Sequence, residues 1–258
     1  MVFAFLSISG CNSKYINLFG IPNELSIEEH LLQSAPDPDP FSFAPMQGTQ
    51  EEILAKHKPE RENIYPDNSF FDNYQYGMSV QMGSEKIVAL ESFTNIASSM
   101  GTFQKVTVQV SRNEQIIYSI PAGDGSPITT IRGLWAYSNH WVLEIAYITE
   151  KYSLENEIST ESYGMIVQDG ELLNNRYHYE EAFGFQLMNG KPFFFYKRDG
   201  QIEISYDNQE IQSRYDQIPR YQCCSGSQLN PKSAKNMVAF FAQRGGKWYY
   251  VEIGVYKK

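Results

Sequence analysis

From about Gln75 onward, apolar residues fall in short runs, some continuous and some alternating with polar ones, separated by tight-turn residues. Gly77–Met82 turns through Gly83-Ser84 into Lys86–Leu90, and Leu134–Tyr137 turns through Ser138-Asn139 into Trp141–Ile145. Phe183–Leu187 turns through Asn189-Gly190 into Pro192–Tyr196, and Val238–Phe241 turns through Gly245-Gly246 into Trp248–Ile253. A side-chain period of two is the strand signature, and Asn-Gly or Gly-Gly between two such runs marks a hairpin, because primed turns need positive φ. A second set of turns lies between the first: Arg112-Asn113-Glu114, Asp169-Gly170 and Asp207-Asn208. The chain reads as four units of two hairpins, roughly 50 residues apart, with the last unit lacking its second hairpin. This predicts an all-β domain over residues 63–258, built of antiparallel hairpin and meander repeats. The expected architecture is a small β-propeller of about four blades, closed by a strand from residues 60–76. The alternative is an irregular β-sandwich in which the hairpin spacing is coincidental.

Residues 12–62 carry a different pattern. Ser26-Ile-Glu-Glu29 ahead of His30-Leu31-Leu32 fits a capping box and predicts a short helix. Ala35-Pro-Asp-Pro-Asp-Pro40 then forces extended backbone, because each proline excludes its predecessor from the helical region. A second short helix is expected over Thr49–Lys58, ended by Pro59. The composition suits a semi-rigid tether.

Ahead of it, an apolar run ends in Ile8-Ser9-Gly10-Cys11, which resembles a bacterial lipoprotein lipobox. The resemblance implies that residues 1–11 are a short lipoprotein signal and that Cys11 carries lipid. The chain would then sit at the cell envelope, on its extracytoplasmic face. A cytoplasmic protein with an incidental Cys11 is the weaker alternative. The segment Phe183 to Gly254 resembles the WG-repeat class of β-rich bacterial proteins through Tyr215-Asp-Gln-Ile218, Ala239-Phe-Phe and Gly246-Lys-Trp-Tyr-Tyr-Val. Tyr249 stands where that pattern has its defining glycine. The family implies a binding or scaffold role and fixes no active site.

Composition narrows the partners. The chain of 258 residues is 42% hydrophobic and 14% aromatic, enough for a packed core and favourable to strands. A net charge of −9 argues against nucleic acid, which needs clustered Lys and Arg. It also argues against adsorption to anionic lipid, so membrane association is expected only through the N-terminal lipid. No other stretch approaches the about 18 apolar residues of a spanning helix. With Cys11 set aside, Cys223 and Cys224 remain. In an oxidising compartment these neighbours could form a vicinal disulfide; otherwise they are two reduced thiols, one buried and one facing out.

Chemistry is sparse. His30, His57, His140 and His178 give no pair at metal-ligand spacing, and there is no Walker loop, dinucleotide fingerprint or nucleophile elbow. No metal or cofactor is expected. The densest local cluster is Tyr177-His178-Tyr179-Glu180-Glu181, which gathers a base, two carboxylates and two rings, or is simply a polar connection. Trp135, Trp141 and Trp248 flank hairpin turns and could stack on sugars, although such residues more often cover a core. Asp169, Asp199 and Asp207 stand at tight turns, where aspartate tolerates left-handed backbone. The long connection Tyr221–Lys235 is a further candidate surface. These features predict a non-catalytic binding or scaffold module for an unknown protein or glycan, with a glycan-binding or glycan-hydrolysing surface protein as the alternative.

Overall fold

A computed structural model describes residues 21–33, 74–98, 101–124, 130–152, 158–221 and 230–255. The protein is all-β, and its strands follow one another as four antiparallel meanders. The first comprises β2 (Tyr74–Met82), β3 (Glu85–Ser98), β4 (Gly101–Arg112) and β5 (Gln115–Asp124). The second comprises β6 (Ile131–Tyr137), β7 (His140–Tyr152), β8 (Ile158–Gln168) and the short β9 (Glu171–Leu172). A brief parallel pairing, Gly123 with Ile148 and Asp124 with Thr149, joins these two into one eight-stranded sheet. A one-turn helix, α1 (Leu173–Tyr177), leads into the third meander. That meander is β10 (Glu181–Met188), β11 (Lys191–Arg198), β12 (Gln201–Tyr206) and β13 (Gln209–Tyr215). The fourth is β14 (Lys232–Ala234), β15 (Met237–Arg244) and β16 (Lys247–Gly254), completed by β1 (Ser26–Leu31).

The hairpins form where the turn chemistry places them. Met82 pairs with Glu85, Tyr137 with His140, Met188 with Lys191 and Arg244 with Lys247, each pair closing a two-residue loop. Ser138, Asn139, Asn189, Gly190, Gly245 and Gly246 all have positive φ, as the primed turns require.

The N-terminal region corrects the sequence reading. Ser26–Leu31, expected as a helix within a tether, is strand β1, paired antiparallel with β16 from Ser26–Gly254 to Leu31–Tyr249. A capping box carries little free energy against a strand that completes a sheet edge and buries Glu29 against a basic partner. The strand that completes the fourth meander is therefore β1 and not one from residues 60–76. Since β1 is part of the β assembly, the proline-rich segment falls between β1 and β2 and not ahead of the folded body. That segment and the expected helix over 49–58 lie outside the described residues.

Three apolar clusters sit where the meanders meet. The first and second bury Met78, Ile87, Val106, Val108, Ile131, Leu143 and Met165 between them, with β6 packed beside β2. The third and fourth share Phe183, Phe193, Phe195, Tyr215, Phe240 and Ile253, with Phe195 and Phe240 edge to face at 4.8 Å. Phe185, Phe194 and Tyr196 pack with Val142 and Ile166 where the second meets the third. At that junction β8 and β10 approach so closely that a Cβ on Gly164 would lie 2.3 Å from the Ala182 carbonyl oxygen.

β1 is fixed by an enclosed ionic cluster. Arg244 donates from Nη1 and Nη2 to the Glu29 carboxylate at 3.0 and 2.5 Å, and the Tyr215 hydroxyl donates to the same group at 2.5 Å. Replacing one member of an enclosed pair strands the other. Glu29→Gln is expected to lower the unfolding free energy by about 3 kcal/mol. Urea unfolding monitored by tryptophan fluorescence measures this, and an unchanged midpoint would show that β1 is held by its strand pairing alone.

Candidate functional site

The most concentrated chemistry lies inside the protein, where successive meanders are joined. The leading strand of the second meander carries a β-bulge: Ile131 pairs with Ile145 and Gly133 with Glu144, which leaves Arg132 as the extra residue. β10 is bulged between Phe183 and Gln186, with Gly184 at φ 67°. A bulge takes N–H groups off the strand ladder, and when buried they need another acceptor. Buried glutamates from the preceding meander accept backbone amides in the β10 bulge and just ahead of the β6 bulge. Glu91 Oε1 on β3 accepts from the Thr130 amide at 2.5 Å, the Thr130 hydroxyl at 2.8 Å and the Ile131 amide at 2.7 Å. Glu144 on β7 accepts from the Gly184 amide at 2.9 Å through Oε1 and the Phe185 amide at 2.7 Å through Oε2. The Tyr221 hydroxyl adds a third donor to Glu144 Oε1 at 2.5 Å.

A second ionic group lies alongside. Glu181, at the start of β10, accepts from the Gly164 amide at 2.8 Å and from Arg220 through both Nε, at 3.0 Å, and Nη2. The Arg220 guanidinium lies 3.8 Å from the centre of the Phe183 ring, and that of Arg132 lies 4.9 Å from the Tyr221 ring. Burial raises the pKa of Glu91 and of Glu144, opposed in each case by the hydrogen bonds they accept and by the Arg132 charge. Burial, followed by the adjacent Glu144 charge, holds the Tyr221 hydroxyl well above the usual tyrosine range.

The residues singled out by sequence lie apart from one another. Glu180 and Glu181 have separate partners and form no catalytic pair. Glu180 is exposed and accepts from the Gly200 amide at 2.9 Å, while Glu181 is buried on Arg220. His178 is exposed and ends α1 in the left-handed conformation. Tyr177 stacks on Tyr179 at 5.5 Å with Arg176 at 5.1 Å, and Tyr179 stacks on Tyr196 at 4.2 Å under Arg198. Glu210 receives both Arg198 Nη groups at 3.0 and 2.8 Å, which holds its pKa below the usual carboxylate range.

Trp141 is buried beside Tyr118, whereas Trp135 lies over Gly133 and packs on Phe185 at 5.0 Å. Trp248 is half-buried on β16 in the fourth meander. The three therefore belong to three separate packing environments. Asp169, Asp199 and Asp207 all sit at positive φ, and Asp169 also holds His140 Nδ1 at 2.5 Å and the Trp141 amide at 3.0 Å. Among the described residues no group of three or more His, Cys, Asp or Glu could hold a metal ion. Cys11, Cys223 and Cys224 lie outside the described residues. No motif in the sequence marks Glu91, Glu144, Arg132 or Arg220. A lone glutamate inside an apolar strand, as in Trp141-Val-Leu-Glu144-Ile145, was the available signal.

The two junction glutamates respond differently to loss of charge. Both Glu144 oxygens accept hydrogen bonds, so Glu144→Gln turns an amide donor toward a backbone donor and is expected to cost about 2 kcal/mol. Glu91 accepts only through Oε1, so Glu91→Gln keeps that acceptor and is expected to stay within about 1 kcal/mol of wild type. Its raised pKa means that the folded state binds the proton more tightly than the unfolded state. That contribution is fully present below the usual 4.5 and is lost as the pH rises through the folded value. Urea titrations across this range should show a stability decline in wild type that is shallower in Glu91→Gln; parallel curves would place the Glu91 proton elsewhere.

No protein-family model matches the chain, and neither a curated protein nor a solved structure matches it.

Proposed function

We propose that this protein is a lipid-anchored, extracytoplasmic β-domain that serves as a non-catalytic binding or scaffold module at the bacterial cell envelope. The observation that carries the reading is Ile8-Ser9-Gly10-Cys11 after an apolar run, which makes Cys11 the lipidated residue. β1 adds a geometric consequence. Because Ser26 is already in a sheet and the described body begins at Ile21, few residues separate Cys11 from it. At about 3.5 Å per extended residue, that stand-off is roughly 35 Å or less, so the domain rides close to the membrane.

A binding role is supported by how the internal acids are used. Glu91, Glu144 and Glu181 each accept backbone N–H groups, which suits rigidity better than proton transfer. Arranging the four meanders as propeller blades accords with their consecutive order and with β1 completing the last one. Its ligand is a protein or glycan of the envelope. The glycan-hydrolase alternative draws less support, because Glu180 and Glu181 face separate partners and Trp141 is buried.

Metabolic labelling with palmitate in a bacterial host tests the anchor. Label should enter the wild-type protein and the membrane fraction, and Cys11→Ala should lose both while keeping its circular dichroism spectrum. Equal labelling of Cys11→Ala, or no labelling of wild type, overturns the anchor.

A further inference from the structure

Three arginines among the described residues present a planar edge to a carboxylate. Arg220 offers Nε and Nη2 to Glu181, Arg244 its two Nη groups to Glu29, and Arg198 its two Nη groups to Glu210. Arg132 is placed by its backbone and by one ring contact. It is the extra residue of the β6 bulge, and the amide just before it, Ile131, is held by Glu91. Its guanidinium lies over the Tyr221 ring, whose hydroxyl is tied to Glu144. Yet Nε and Nη2, the same edge that Arg220 fills with Glu181, are enclosed without a hydrogen-bond partner.

The nearby acids leave that edge unmatched. Glu144 has both oxygens engaged by backbone amides and Tyr221. Glu91 has Oε1 engaged by three donors, while its Oε2 is enclosed without a partner in a residue only 1% exposed. Burial raises the pKa of Glu91, and Oε2 is a donor when that group is neutral. The centre thus presents a cationic fork, with Glu91 Oε2 as a further donor when that group is neutral, all enclosed and unpaired. Enclosed polar groups of this kind call for a partner. The matching shape is a planar anion with two oxygens, which takes parallel N–H···O bonds from one guanidinium edge.

We propose that Arg132 and Glu91 form a binding site for one small carboxylate of formate to acetate size, held by Nε and Nη2 of Arg132 with Glu91 Oε2 as the third contact. Atoms with so little exposed surface can be reached by a small anion and not by a peptide or a lipid headgroup. The site is independent of the anchor at Cys11.

Isothermal titration and thermal melting of the full chain with sodium formate and sodium acetate test this, with sodium chloride at equal ionic strength as control. The expected result is one saturable carboxylate site and a rise in melting temperature that chloride does not reproduce. Arg132→Gln and Arg132→Lys should each weaken carboxylate binding by ~10-fold or more, because lysine keeps the charge but loses the fork. Glu91→Gln, whose amide can still donate, should stay within about threefold of wild type. Equal responses to chloride and acetate in wild type overturn the site, without recourse to any variant. So does undiminished binding in folded Arg132→Lys, or a strong Arg132–Glu91 coupling in a double-mutant cycle that is insensitive to carboxylate. The last result would mean that the two side chains pair with each other.

Discussion

Capture of bulge amides by a buried carboxylate is the interaction on which the other features of this fold depend. Two twisted sheets can slide over an apolar interface with little change in buried area, so apolar packing alone sets their relative position weakly. A carboxylate with two or three fixed donors has one arrangement that satisfies it. Glu91 sets the first meander against the start of the second, and Glu144 sets the second against the bulge of the third. The hydrogen bonds that each acid accepts oppose, without cancelling, the desolvation that raises its pKa. The bulge and the glutamate require each other. This is plainest at β10: without its bulge the Gly184 and Phe185 amides would pair in the ladder, and without Glu144 they would lack that acceptor.

The aromatic clusters then fill the volumes that these contacts define. Phe183 illustrates the coupling: it stacks on Phe195 in the cluster shared by the third and fourth meanders, while Arg220 covers its ring and reaches Glu181. Glu181 in turn takes the Gly164 amide of β8, at the place where no side chain fits between the strands. One residue pair thus joins the second meander, the third, and the connection that leaves β13. A charge removed here disturbs packing on both sides, which is why acids of this protein act as parts of its frame.

Much of the fold was legible in the sequence because hairpin turns are local. Asn189-Gly190 and Gly245-Gly246 specify positive φ within two residues, and no distant contact is needed to fix them. Ser26–Leu31 was misread because its helical signal is local and weak, whereas its strand state depends on β16, at the opposite end of the chain. The polar centre was hidden for the same reason. Glu91 finds Thr130, Glu144 finds Gly184, and Glu181 finds Arg220, and no motif spans such separations. The cluster at Tyr177–Glu181 draws attention because its members are neighbours in sequence, yet Glu180, in the bend ahead of β10, meets the Gly200 amide, whereas Glu181, the first residue of β10, meets the Gly164 amide.

The third junction shows how the device adapts when its residue is missing. Glu144 faces Gly133 across the leading hairpin of its meander, and Glu252 faces Ala239 in the corresponding hairpin of the fourth, buried and bonded to the Tyr250 hydroxyl. In the third meander that hairpin pairs Phe183 with Phe195, and no acid stands there to reach forward. Its junction with the fourth is aromatic, through Phe195 and Tyr215 against Phe240, and its carboxylate comes from elsewhere. Glu29 on β1 supplies it, taking the Tyr215 hydroxyl of the third meander and Arg244 of the fourth. The N-terminal strand therefore does more than complete a sheet edge: it provides the acid that β11 lacks. The start of the described chain is built into the junction that depends on it most.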